Sequence, residues 1–121
     1  IETRLRTPVS IAAPSVASAS GVQLRLPDAW FIALSQSGES PDLIAATRAA
    51  REAGAVTIGL VNKPQSPLGG GVDVCLPLHA GDEFSVAATK SVLAAMALGA
   101  RLVAQCARDD RLHAALDRLP A

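Results

Sequence analysis

Ala29-Trp30-Phe31-Ile32-Ala33-Leu34 runs directly into Ser35-Gln36-Ser37-Gly38-Glu39-Ser40-Pro41, and this passage decides what kind of fold the chain can adopt. The apolar run is continuous and does not alternate with polar residues, as expected of a strand buried on both faces of a parallel sheet. A helix start follows at once. Ser40 is a natural N-cap, Pro41 suits the first helical position, and Asp42 favours the positive end of the helix dipole. Leu43, Ala46, Thr47, Ala50 and Ala53 recur at helical spacing as a buried stripe, while Arg48, Arg51 and Glu52 face water. Gly54 supplies a C-terminal stop. A second apolar run, Val56–Val61, completes a strand–helix–strand unit.

Working outward, two further β-rich runs lie at Val9–Ala13 and Val72–Leu76, giving four strands, with a fifth expected upstream. The connection Asn62–Gly71 contains Pro64, Pro67 and three consecutive glycines, so a loop or at most a short helical turn is predicted there. Val86 to Ala107 is apolar on nearly every side, broken only by Thr89, Lys90, Arg101 and Gln105. Such a helix needs cover from the sheet on one side and from a partner subunit or another domain on the other. Asp109 to Leu119 is a shorter amphipathic helix, and Ile1 to Arg6 is the last turn of another. The predicted fold is α/β: a three-layer α/β/α sandwich around a parallel sheet of flavodoxin-like type, lacking its first strand in this segment.

At 121 residues, half of them apolar, the chain suits one domain and is too short for two. Its 11 basic and 11 acidic side chains balance and are scattered, so neither nucleic acid nor an acidic membrane is an expected partner. Cys75 and Cys106 have no metal-like or redox-like spacing and are expected to be core thiols, which suits a reducing compartment. With only His79 and His113 besides, neither a metal nor a cofactor is expected. The longest charge-free apolar stretch, Ser91–Ala100, is about half of the ~20 residues a bilayer requires. Arg4 and Arg6 lead to Pro8 and not to an apolar core, so no signal peptide is read and the expected setting is cytoplasmic.

The chemistry sits in the loop Ser35–Ser40. Loops at the carboxyl ends of parallel strands are where open sheets bind ligands. This one offers three hydroxyls and an amide side chain. The backbone N–H groups from Gly38 to Asp42 lie at a helix start with no intrahelical partner, and Gly38 lets the backbone approach an anion closely. A phosphate dianion is the ligand such donors suit. The plainer alternative is that Ser40 caps the helix while the other serines form turns. Neither G-x-G-x-x-G nor G-x-x-x-x-G-K-[ST] occurs, so a nucleotide loop is excluded.

Ser35-Gln36-Ser37-Gly38-Glu39-Ser40 closely resembles the phosphate loop of SIS (sugar isomerase) domains, nearest to the isomerase half of glutamine–fructose-6-phosphate aminotransferases and to amino-sugar-phosphate deaminases. A second block, His79-Ala80-Gly81-Asp82-Glu83-Phe84-Ser85-Val86-Ala87-Ala88-Thr89-Lys90, is similar to that family's segment after the last visible strand. The resemblance implies that Ser35, Gln36, Ser37 and Ser40 bind phosphate, with Ser40 standing where the aminotransferases usually have threonine. It implies that Val86 and Ala88 occupy sugar-contacting positions. Ala88 lacks the serine hydroxyl often found there, which leans the reading towards the deaminase-like branch.

The remaining polar residues have plainer readings. His79 is expected on a surface loop; Glu83 is either a base or a carboxylate stabilising a helix start; Lys90 either points into the site or snorkels. Ser15, Ser18 and Ser20 precede Gly21 as ordinary turn residues. No catalytic acid–base pair is visible. The resemblance explains this, because the family's catalytic Glu, His and Lys lie mainly in a following SIS domain and the C-terminal tail. The Gly-Thr-Ser turn after the family's first strand is also missing.

Residues 1–121 are therefore expected to be a single phosphosugar-binding domain, the N-terminal one of two in a longer homodimeric protein. That parent would be an amino-sugar-phosphate isomerase, deaminase or aminotransferase acting on fructose 6-phosphate or glucosamine 6-phosphate, a hexose or hexosamine 6-phosphate being the ligand. The segment alone is expected to be inactive. The alternatives are a non-catalytic sugar-phosphate sensor in a transcriptional or enzyme regulator, and an etherase-type lyase acting on muramic acid 6-phosphate.

Overall fold

The computed structural model describes residues 1–12, 25–83 and 88–119. Three parallel strands form one sheet in the order β1-β2-β3: β1 at Trp30–Ser35, β2 at Val56–Val61 and β3 at Val74–Pro77. Trp30 pairs with Val56 and Ser35 with Val61; Ile58 pairs with Val74 and Val61 with Pro77. All three strands thus finish on one edge, where ligand loops gather. Helix α1 covers Glu2–Leu5, α2 Pro41–Glu52, α3 Pro67–Gly71, α4 Lys90–Ala107 and α5 Asp110–Leu116.

Alternation along the strands divides the core in two. On one face Ile58, Leu60 and Leu78 pack with Ala95 of α4, joined by Ile32, Leu76, Ala94 and Leu98. On the other, Ala33 and Val61 pack with Leu68 of α3, joined by Phe31, Val72 and by Leu43 and Ile44 of α2. Helices on both faces make the α/β/α sandwich. Leu60, Val61 and Leu68 are completely enclosed, and burying a side chain of this size contributes about 1.5–3 kcal/mol.

Helix α2 keeps the expected stripe. Ala46, Thr47 and Ala50 are buried, Leu43 and Ala53 half-buried. The Thr47 hydroxyl donates to the Leu43 carbonyl at 2.7 Å. Gly54, at φ 97°, takes the left-handed conformation that stops the helix. From the end of α2, Arg51 reaches Asp73 at 2.8 Å. Asp73 also accepts the Thr57 N–H at 2.9 Å and the Thr57 hydroxyl at 2.7 Å. These bonds join α2, β2 and the entry to β3.

Several expectations need correction. Val9–Ala12 form no strand, and Ile11 is 97% exposed; residue 13 lies outside the described residues. An apolar run becomes a strand only where a neighbour completes its ladder, and no described strand lies alongside. Burial on both faces holds for β2, from Thr57 to Val61, but not for β1 or β3 at the edges of this sheet, where Trp30 and Leu34 are each 54% exposed. Helix α4 begins at Lys90; residues 84–87 lie outside the described residues, and Ala88 and Thr89 are not helical. Cys75 is half-buried, but Cys106 is exposed on α4 and is no core thiol.

Helix α4 is 18 residues long with a mean hydropathy of 1.2, which reaches the lower limit for a membrane-crossing helix by length and composition. Its inner stripe is accounted for by the sheet. Val92, Leu93 and Met96 are exposed, the last two at 64% and 67%.

Candidate functional site

The carboxyl edge of the sheet carries three loops, after β1, β2 and β3. Ser35 ends β1, and its Oγ accepts the Gly38 N–H at 2.9 Å. The Ser37 Oγ accepts the Glu39 N–H at 3.2 Å. Two of the backbone donors expected to be open are therefore engaged by the loop's own serines. Short hydroxyl side chains reach N–H groups two or three residues ahead, and so compete for them. Each hydroxyl hydrogen has no acceptor among the described residues. Ser40 occupies the N-cap position with extended backbone but makes no side-chain cap bond, which corrects its expected capping role. Its side chain is exposed, whereas Ser35 and Ser37 are half-buried.

The bend is fixed by Gly38, at φ 68°. Its carbonyl accepts the Leu68 N–H at 3.0 Å, tying the loop to α3. Ser66 caps α3 by accepting the Gly69 N–H at 3.3 Å.

Beside this loop opens a cleft of about 460 Å³. Gln36 lines it from the β1 loop, Asn62 and Lys63 from the end of β2, and His79, Gly81, Asp82 and Glu83 from the segment after β3. Asn62 holds two of the walls together. Its backbone N–H donates to the Ser35 carbonyl at 3.2 Å. Its Nδ2 donates to the Gly81 carbonyl at 2.8 Å, and its Oδ1 accepts the Ala80 N–H at 2.9 Å.

Glu83 is committed to the start of α4. Its carboxylate accepts the Thr89 N–H at 2.6 Å, the Lys90 N–H at 2.8 Å and the Ser91 hydroxyl. The Ser91 hydroxyl first, then the Thr89 N–H, hold the Glu83 carboxyl below its ordinary pKa. A carboxylate stabilised in this way is a poor base and a good helix cap. The Lys90 ammonium donates to the Asp82 carbonyl at 2.8 Å, so it braces the same segment. Among the described residues, no group of three or more His, Cys, Asp or Glu side chains could hold a metal ion.

The SIS domain model matches residues 4–104. The chain belongs to the SIS domain family. This SIS domain is 38% identical over 112 residues to a glutamine–fructose-6-phosphate aminotransferase of Zymomonas mobilis, covering 89% of the chain and 18% of that protein. It is 41% identical over 91 residues to the Aquifex aeolicus aminotransferase, covering 74% of the chain and 15% of the enzyme. A crystal structure of a candidate phosphosugar isomerase from Silicibacter pomeroyi superposes with TM-score 0.94 at 46% identity, over 98% of this chain and 36% of that one. The C-terminal domain of the Francisella tularensis aminotransferase shares the fold, with TM-score 0.79 at 24% identity, over 96% of this chain and 34% of that one. The chain thus spans under a fifth of these curated relatives.

Of the residues singled out in this SIS domain, Gln36 lines the cleft, and Ser35 and Ser37 shape the adjoining loop. Ser40 stands exposed at the helix start, and Ala88 is exposed just ahead of α4. Val86, Ser15, Ser18 and Ser20 lie outside the described residues. Asn62 and Lys63 escape sequence reasoning because they open a Pro- and Gly-rich connection that reads only as a loop. A polar pair directly after a buried strand was the available signal.

Proposed function

We propose that this SIS domain is the phosphosugar-binding domain of an amino-sugar-phosphate isomerase, deaminase or aminotransferase acting on fructose 6-phosphate or glucosamine 6-phosphate. The carrying observation is the serine-rich bend at the carboxyl end of β1, adjoining a polar cleft that Gln36 enters. In this reading Ser35, Gln36, Ser37 and Ser40 donate to the phosphate, and the start of α2 adds its dipole. Neutral donors of this kind, hydrogen-bonded to a dianion, contribute about 1.5–3 kcal/mol each. Val86 and Ala88 are assigned to the sugar by their sequence positions alone, which match those where the family touches it. The cytoplasm is the compartment where such a substrate is met.

The domain binds and does not react. In this reading Glu83, spent on capping α4, is a poor base, and a second SIS domain of a longer, dimeric protein supplies the proton-moving groups. Differential scanning fluorimetry of the full-length protein tests the reading. Glucosamine 6-phosphate or fructose 6-phosphate should raise the melting temperature, while glucosamine and fructose should not. Equal shifts from phosphorylated and plain sugars would remove phosphate from the assignment.

A further inference from the structure

We infer that Asn62 is a positioning residue of the ligand site, fixing the wall that faces the sugar separately from the loop that faces the phosphate. The inference rests on the phosphosugar reading and deepens it. Asn62 directly follows the last residue of β2, and its half-buried carboxamide bonds the segment after β3 with both of its arms. It donates to the Gly81 carbonyl at 2.8 Å and accepts the Ala80 N–H at 2.9 Å. That segment turns sharply, because His79 and Gly81 both have left-handed backbone, at φ 53° and 70°. The left-handed region is uncommon for a residue with a side chain, and it persists where surroundings over-determine it. A carboxamide satisfying one donor and one acceptor inside the turn does that, and an asparagine presents both groups from one rigid plane.

The backbone of Asn62 does a different job. Its N–H donates to the Ser35 carbonyl at 3.2 Å, at the base of the serine loop. One residue therefore meets the serine loop through its main chain and the cleft's opposite wall, His79 to Asp82, through its side chain. A side-chain substitution disturbs only the second link. The wall then moves relative to Gln36, while the serine loop keeps its bonds from the Gly38 N–H to the Ser35 Oγ and from the Leu68 N–H to the Gly38 carbonyl.

This separation makes a measurable split. In the full-length protein, Asn62→Ala and Asn62→Leu should each weaken glucosamine 6-phosphate binding about tenfold by calorimetry, which corresponds to about 1.4 kcal/mol. Inorganic phosphate, which needs only the serine loop, should bind within about twofold of the unsubstituted protein. Asn62→Leu is nearly isosteric and uncharged but offers neither the acceptor for Ala80 nor the donor to Gly81; it guards against a defect from the volume lost in the alanine variant. Equal losses for both ligands, or no loss for either, would overturn the positioning role. If the unsubstituted protein binds neither ligand, the phosphosugar reading itself fails, whatever the variants do.

Discussion

Gly38 and Ser66 leave no room for a side chain between them: a β-carbon on Gly38 would lie 1.9 Å from the Ser66 hydroxyl oxygen and 2.6 Å from its Cβ. Ser66 cannot easily retreat, because its oxygen caps α3 through the Gly69 N–H. Two separate loops at the carboxyl edge of the sheet are thereby locked face to face. The serine bend takes its shape from a contact far along the chain as well as from its own residues.

Gly38→Ala should therefore be damaging on two counts. The left-handed backbone alone costs an alanine about 1–2 kcal/mol, and the collision with Ser66 adds to it. Urea denaturation should show the loss of stability, and phosphosugar binding should fall with it. A variant of unchanged midpoint would show that the bend tolerates a side chain.

Ser37→Ala should weaken phosphosugar binding by about 1–3 kcal/mol, the range for a lost hydrogen bond to a charged group. The same substitution strips the Glu39 N–H of its acceptor at 3.2 Å. Titration calorimetry on the full-length protein reads the effect. Unchanged affinity would exclude this serine as a ligand.

Lys63 brings a cationic side chain to the cleft from the end of β2. It is exposed, so its attraction for a phosphate is screened and small, about 0.2–1 kcal/mol. Lys63→Met should lower affinity about two- to fivefold and flatten its dependence on salt. An identical salt dependence in the two proteins would place the ammonium away from the ligand.

Asp73 should make stability sensitive to acid. The Thr57 hydroxyl, then the Thr57 N–H, hold its carboxyl below the ordinary value of 3.8. A depressed folded-state pKa stabilises the fold above the unfolded value and ceases to do so as pH falls through the folded one. Asp73→Asn keeps an acceptor for Thr57 but loses the ion pair with Arg51, so its denaturation midpoint should be lower at neutral pH. Its stability should also fall less steeply below about pH 4, near the unfolded carboxylate value. Parallel acid limbs for the two proteins would contradict this assignment.

The outer face of α4 should be covered in the full-length protein. Leu93 and Met96 project from it at 64% and 67% exposure, and adjoining apolar side chains of this kind favour burial. With Cys75 and Cys106 replaced by alanine, a cysteine at Met96 should react with maleimide more slowly than one at Arg118, an exposed charged position. Equal rates would mean that this face meets water in the assembly.

Much of this architecture was legible along the chain. The apolar runs at β1 and β2, with the stripe Leu43, Ala46, Thr47 and Ala50 between them, are local patterns whose period dictates strand, helix and strand. The loop Ser35–Ser40 was readable for the same reason, since its residues are consecutive. Val9–Ala12 shows where such reading stops, because pairing depends on a neighbour and not on the run itself. Glu83 looked like either a base or a helix residue until its three bonds to Thr89, Lys90 and Ser91 were known.

Composition and period by themselves determined the fold class, the helix after β1 and the hydroxyl-rich bend, because backbone preference and apolar spacing act between residues close in sequence. Tertiary structure alone decided that Asn62 grips Ala80 and Gly81, that Gly38 abuts Ser66, and that Gln36 shares a cleft with His79. Those contacts join residues 18 to 43 positions apart, and no local preference encodes which loops a folded sheet will bring together at one edge.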